Sequence, residues 1–329
     1  MIEIIKHNVN INFAKYFNVF TIISTVLVLT SFGLIFFKGL NYGVDFRGGA
    51  EIQTKFKTTI KLEDLRNALA DGGFSSASVQ SIGSPEDNEF LIKVLAQESN
   101  LNAVTQQISS SLQKRFADSG MEIRKTDIVG PKAGEELRIA AVKAILYSFI
   151  AIMIYVGLRF DFKYAPGAVL ALIHDSALVA GIWALFGFEF SLQTVAALLT
   201  IIGYSVNDTV VVYDRVREHE EKNPGVPMVS LLNTAVNETL SRTILTASAT
   251  LLSALAMYIW GGESIRDFFL AISIGIVVGT YSTIYIAASI TIVCEKYNLT
   301  GKKLPLSATA PVASTSAKAI ESEVEIERS

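Results

Sequence analysis

Cysteine is almost absent from this chain: Cys294 stands alone in an apolar stretch. One thiol cannot close an internal disulfide and cannot supply a metal-binding cluster. The three histidines, His7, His174 and His219, are too far apart in sequence for a zinc-type spacing. Charge is also scarce. Asp, Glu, Lys and Arg make up 18% of the residues, where a soluble protein carries about 25%. No long basic tract occurs and the net charge is −3, which argues against a nucleic-acid partner. Neither a cofactor nor an enzymatic activity is expected. What the chain has instead is apolar surface: half of its 329 residues are hydrophobic and the mean hydropathy is +0.42. Both values point to membrane lipid as the surroundings.

A helix needs about 20 mostly apolar residues to cross a bilayer. Six stretches qualify: Phe17–Phe37, Ile139–Leu158, Ala165–Phe186, Phe190–Tyr213, Thr243–Trp260 and Phe268–Val293. A short turn near Gly187 joins the third to the fourth, and Gly261–Asp267 joins the last two. Such short connections make antiparallel neighbours. Lys6, Lys15, Arg159, Lys163, Arg215, Arg217, Lys222, Lys296, Lys302 and Lys303 would share one side, while the short loops opposite carry only Arg266. The positive-inside bias therefore predicts both termini in the cytoplasm. The first span is expected to be a retained anchor, because its apolar run exceeds a signal peptide's and Phe37-Lys38-Gly39 is not a small-x-small cleavage site.

Between the first two spans the chain turns polar for a domain's length. Strands are expected near Ala50–Phe56, Ala77–Ile82, Phe90–Leu95 and Met121–Val129, and helices over Leu62–Ala70 and Leu101–Phe116. The order β-α-β-β-α-β is the ferredoxin-like pattern. The expected fold is thus a polytopic α-helical membrane protein with six transmembrane helices and a periplasmic ferredoxin-like α+β domain between the first and second. The expected divisions are 1–37 (cytoplasmic N-terminus and first span), 38–137 (periplasmic domain), 138–303 (five-helix transmembrane region with a cytoplasmic loop) and 304–329 (disordered cytoplasmic tail). After Pro227, Met228, Leu231, Leu232, Ala235 and Val236 fall at helical spacing. They predict a short helix lying on the membrane surface or docked on a partner.

Ionisable side chains inside spans are costly, about 2.5–3.5 kcal/mol on insertion scales, and mark function by default. Asp208 lies in the fourth span, with Tyr204 one turn before it on the same face. It is either a titrating group or an interfacial residue in cytoplasmic water. Arg242 opens the fifth span at comparable depth, and an arginine stays charged at any reachable pH. Beside Asp208 it would hold the carboxylate ionised until the two part; otherwise it snorkels to the headgroups. Thr239, Thr243, Thr246, Thr250 and Ser253 share one helical face. They line a hydrated path or bond back to their own helix. His174 and Asp175, near the middle of the third span, are relay members or polar glue between helices.

Two longer segments carry a family resemblance. Gly39-Leu40-Asn41-Tyr42-Gly43-Val44-Asp45-Phe46-Arg47-Gly48-Gly49 follows the first span. Ile201 to Glu218 contains Gly203-Tyr204-Ser205-Val206-Asn207-Asp208. With Leu240-Ser241-Arg242-Thr243-Ile244 and His174-Asp175, they resemble the SecD/SecF family of the resistance-nodulation-division superfamily, over about residues 10–298. The resemblance implies an inner-membrane subunit of protein export. It implies work with SecD and the SecYEG channel on the exported polypeptide, driven by the proton motive force. It makes Asp208 and Arg242 the proton-coupling pair, with Tyr204, Asn207, His174, Asp175, Thr243 and Thr246 in support. Asp45, Phe46 and Arg47 become a junction between membrane and domain. Rival readings are a half-size small-molecule exporter of the same superfamily, a passive assembly factor, and an intramembrane aspartyl protease, whose Gly-x-Gly-Asp motif is missing.

Overall fold

The computed structural model describes residues 10–83, 85–95 and 101–297. The expectations for the first nine residues and for the 304–329 tail fall outside them. Among the described residues six helices are long and apolar enough to cross a membrane. They are α1 (Phe17–Phe37), α5 (Pro131–Arg159), α6 (Ala165–Phe186), α7 (Leu192–Lys222), α8 (Met228–Trp260), and a last helix built of α9 (Glu263–Ser282), a π-helical turn (Thr283–Ala287) and α10 (Ala288–Lys296). The chain is a multi-pass membrane protein.

Their ends follow local chemistry. Ser191 caps α7 in a capping box with Thr194. Gly187 ends α6 in the left-handed conformation, φ +72°, which a residue without Cβ adopts at little cost. Lipid tails supply no hydrophobic drive between helices, so close packing relies on small residues. A Cβ on Gly275 would meet Ile201 at 2.3 Å, one on Gly181 would meet Ser31 at 2.3 Å, and one on Gly279 would meet Ser205 at 3.2 Å. The helices α6 and α7 lie at the centre, while most large side chains of α1 and α5 face outward.

The helix α8 differs from expectation. Met228–Val236 is not a separate surface helix but the start of one 33-residue helix. Met228, Leu231, Leu232, Ala235 and Val236 are buried against Tyr164, Val212, Tyr213 and Val216 of the same chain. Asn237-Glu238-Thr239 lie inside that helix. Helical geometry tolerates all three, and the apolar face packs on its own bundle. At about 1.5 Å per residue, α7 and α8 both outrun a bilayer core of about 30 Å.

Between α1 and α5 lies the sheet region. Strands β2 (Gly49–Lys55), β3 (Ser78–Ile82), β4 (Glu89–Leu95) and β5 (Glu122–Val129) form an antiparallel sheet in the order β3-β4-β2-β5. Helices α3 (Leu62–Asp71) and α4 (Leu101–Arg115) cover one face. Alternate residues Ile52, Phe56, Phe90, Ile92 and Val94 point into the core with Leu65, Leu69, Ile108 and Leu112. That alternation is the period-2 signal of a half-buried strand.

Candidate functional site

The segment after α1 ties the sheet to the helices. Strand β1 (Asn41–Tyr42) pairs in parallel with β6 (Glu189–Phe190), just ahead of α7. A single helical turn, α2 (Val44–Arg47), follows. Asp45 Oδ2 accepts the Leu192 backbone N–H at 2.9 Å, a carboxylate on the positive end of the α7 dipole. Phe46 is buried with Trp183, Phe190, Leu198 and Ile201. Arg47 is exposed. The double glycine is steric. Gly48 has φ +84° and a Cβ there would lie 2.7 Å from the Pro131 nitrogen; at Gly49 it would lie 2.2 Å from the Val94 carbonyl oxygen. Two-residue strands and a one-turn helix carry too few residues for a periodic signal, so the β1–β6 pairing and α2 were not foreseen.

Lys93 of β4 sits at the same junction. Its ammonium lies 3.1 Å from Glu189 and 3.6 Å from Glu51. Burial disfavours its charge, but Glu189 and Glu51 outweigh that and raise its pKa. Burial pushes the Glu51 carboxyl up, partly offset by Lys93. Nearby, the Ser81 backbone N–H donates to Glu263 at 3.0 Å.

Inside the bundle, Asp208 is 6% exposed. It lies beside the Thr243 hydroxyl and within electrostatic reach of Arg242. Among the described residues its Oδ2 has no hydrogen-bond partner, nor has the Tyr204 hydroxyl. Tyr204 packs instead with Ala247, Ala254 and Ile276. Arg242 is exposed, and no ion pair joins it to Asp208 among the described residues. Adjacent residues of a helix point about 100° apart, so Thr243 faces the carboxylate and Arg242 faces out. Asn207 is exposed one position before Asp208.

The hydroxyl face of α8 divides. Thr239, Thr246, Thr250 and Ser253 donate to carbonyls of their own helix at 2.8–3.0 Å, and the last three are exposed. Thr243, buried beside Asp208, stands apart from them.

His174 and Asp175 are buried at the junction of α6, α7 and α9. Asp175 Oδ2 accepts from Ser205 at 2.6 Å and from Ser282 at 2.9 Å, and His174 Nδ1 is 2.9 Å from its Oδ1. Ser205 and Ser282 are the residues sequence reasoning missed. Serines are common on membrane helices, and nothing in their spacing marks them as partners of Asp175. The bundle thus holds two separate polar sites: Asp208 of α7 with Thr243 of α8, and Asp175 of α6 with Ser205 of α7 and Ser282 of α9.

Comparison with known proteins agrees with this architecture. Residues 108–297 match the family described as "Protein export membrane protein SecD/SecF, C-terminal", and residues 33–60 match the "SecD/SecF GG Motif". The protein translocase subunit SecF of Calditerrivibrio nitroreducens is 41% identical over 292 residues, covering 88% of this chain and 95% of that one. The SecF of Rickettsia bellii is 40% identical over 289 residues, with the same coverage of each chain. The protein translocase subunit SecDF of Thermus thermophilus is 40% identical over 286 residues, covering 85% of this chain and 37% of that longer one. The crystal structure of a Thermus SecDF, described as a translocon-associated membrane protein, superposes with a TM-score of 0.72 at 37% identity, covering 89% of this chain and 40% of that one. The chain belongs to the SecD/SecF family of protein-export membrane proteins.

Proposed function

We propose that this chain works with SecD and the SecYEG channel to promote polypeptide export across the bacterial inner membrane, driven by the proton motive force. The observation that carries this is Asp208, a buried carboxylate inside a membrane-spanning helix with one oxygen unpartnered among the described residues. A buried, half-satisfied carboxylate is costly to keep. The cost is understandable where the group must bind and release a proton. Each charge crossing a potential of about 100 mV carries about 2.3 kcal/mol, enough to bias a conformational equilibrium. In this reading Arg242 swings between the outward position seen here and one closer to Asp208, and so controls when the proton binds.

The domain between α1 and α5 is read as a periplasmic ferredoxin-like domain over 38–137. Its strand order and helix placement support this. Lys15, Arg159, Lys163, Arg215, Arg217 and Lys222, in sequence segments that join the spans at the other end, support cytoplasmic termini by the positive-inside rule. The divisions 1–37, 138–303 and 304–329 follow from the same topology. Asp45 and Phe46 hold the domain to the mouth of α7, the helix that carries Asp208, which suits them to pass motion from one to the other.

The SecD partner is assigned to the face formed by α7 and α8. Gln193, Ala196, Thr200, Gly203 and Asn207 are exposed along α7, as are Thr246, Thr250 and Ser253 along α8. Small and polar side chains suit a helix interface better than lipid. The SecDF relative, which this chain matches over 37% of its length, supports a second unit alongside this one.

The test is export into membrane vesicles holding the partner, with and without a proton gradient. Asp208→Asn should assemble with SecD and lose gradient stimulation. A gradient response like that of the wild type would remove the proton-carrier role and favour a passive assembly factor.

A further inference from the structure

Asp175 is more enclosed than Asp208: it is 0% exposed, and His174 beside it is 4% exposed. Its surroundings are arranged for two protonation states. Ser282 has one hydroxyl hydrogen and two acceptors within reach, Asp175 Oδ2 at 2.9 Å and the Gly279 carbonyl at 3.0 Å. When Asp175 is ionised, Ser282 donates to it. When Asp175 carries a proton, its O–H can donate to Ser282 Oγ, and Ser282 turns its hydrogen to Gly279. Neither state leaves the Ser282 hydrogen or the carboxyl proton without an acceptor.

The next rung repeats the device. The Thr209 hydroxyl has Thr283 Oγ1 at 2.9 Å and the Ser205 carbonyl at 3.2 Å. A third rung joins Tyr213 to Thr291 at 2.9 Å. Ser205, Thr209 and Tyr213 recur every four residues on one face of α7, and all are buried. Gly167 of α6 leaves room for the third rung, since a Cβ there would lie 2.3 Å from Tyr213 Oη. The Tyr213 ring lies 4.9 Å from that of Tyr164, whose hydroxyl donates to Glu220 at 3.0 Å. A second, independent observation is His174 Nε2, buried and unpartnered among the described residues. Ser282 directly precedes the π-helical turn Thr283–Ala287, and such turns recur at functional sites.

We propose that Asp175 is a second proton-binding carboxylate of the membrane-spanning region, and that its protonation is read out by Ser282 at the start of the π-helical turn. This rests on the proton-driven reading of the chain. Titratable groups on the elements packed around Asp175 include His174, Tyr281 and Asp208. His174 on α6 is bonded to it. Tyr281 on α9 has its ring 6.0 Å from that of His174 and its hydroxyl on Ser24 of α1. Asp208 on α7 faces Thr243 of α8 instead. Among the described residues α5 and α10 direct no charged side chain into a bond with Asp175.

The test uses the full chain with its SecD partner in lipid vesicles. Infrared difference spectra between neutral and mildly acidic pH read the C=O stretch of protonated carboxyl groups. In the Asp208→Asn background a carboxyl band should remain, and adding Asp175→Asn should remove part of it. Ser282→Ala should shift that part in frequency, which keeps the test alive if Asp175→Asn fails to assemble. Identical spectra with and without Asp175, or a band indifferent to Ser282, would overturn the proposal. In the export assay Asp175→Asn alone should lower gradient stimulation at least about fivefold, the lower end of typical coupling between sites. Loss of the band with stimulation unchanged would overturn the readout through Ser282. Failure of the wider proton-driven reading shows separately, as an Asp208→Asn chain that still responds to the gradient.

Discussion

Asp208 and Arg242 occupy neighbouring helices at similar depth, yet Thr243 holds the seat beside the carboxylate. The threonine hydroxyl beside the carboxylate is therefore expected to matter as much as the arginine. Thr243→Val should lose most gradient stimulation of export and Thr243→Ser should keep it, read in the vesicle assay. Thr246→Ala is the contrasting case. Its hydroxyl is spent on the Arg242 and Thr243 carbonyls, so gradient stimulation should fall much less than in Thr243→Val. The sequence placed both threonines on one helical face, and it could not say which of them meets a partner. Spacing gives direction around a helix, and only the packing of α7 against α8 gives proximity.

At the scale of elements, α8 shows how polarity misleads. Its first turns lie in a buried cluster of the bundle, and Leu232 is 0% exposed there. Leu232→Ala should destabilise the protein by about 2–5 kcal/mol, seen as a lower thermal midpoint in detergent. A free surface helix would give almost no shift. The outer face of α7 makes the opposite prediction. A Cβ at Gly203 meets nothing within 4 Å, so Gly203→Leu should leave the isolated chain's thermal midpoint unchanged while reducing co-purification of SecD. The strands β2 and β4 were legible because alternation over seven residues is a strong signal. The strands β1 and β6, of two residues each, lie below that threshold.

For the whole molecule, the junction around Lys93 decides how the sheet region rides on the helices. Lys93 lies between Glu51 and Glu189, which come from the sheet and from the connection before α7. The folded pKa of Glu51 is raised, so folding favours its protonated form. That favourable contribution is present below its unfolded pKa and is lost as pH rises through the raised value. The pKa of Lys93 is raised as well, so its contribution is complete below its unfolded value and is lost only in alkali, beyond the raised one. Lys93→Ala should therefore loosen the junction more at neutral pH than at acidic pH, where Glu51 takes up its proton. Limited proteolysis between the sheet and α7 at the two pH values checks this, and equal cleavage rates would speak against the cluster. Topology is tested on the same scale. Cysteines at Asp87 and Lys222, in a Cys294→Ala background, should react with impermeant reagents from opposite sides of the membrane.

The sequence by itself determined the six spans, the β-α-β-β-α-β order between the first two, the scarcity of charge, and the residues worth suspecting inside the membrane. These are local properties: a bilayer selects apolar runs by length, and strands and helices select side chains by period. Only the tertiary structure decided that Asp175 meets Ser205 and Ser282, that Thr243 rather than Arg242 borders Asp208, and that Lys93 bridges to Glu189. Each of these contacts joins residues 30 or more positions apart in the chain. Which polar side chain meets which is set by the crossing of whole helices, and no periodicity within a single segment records it.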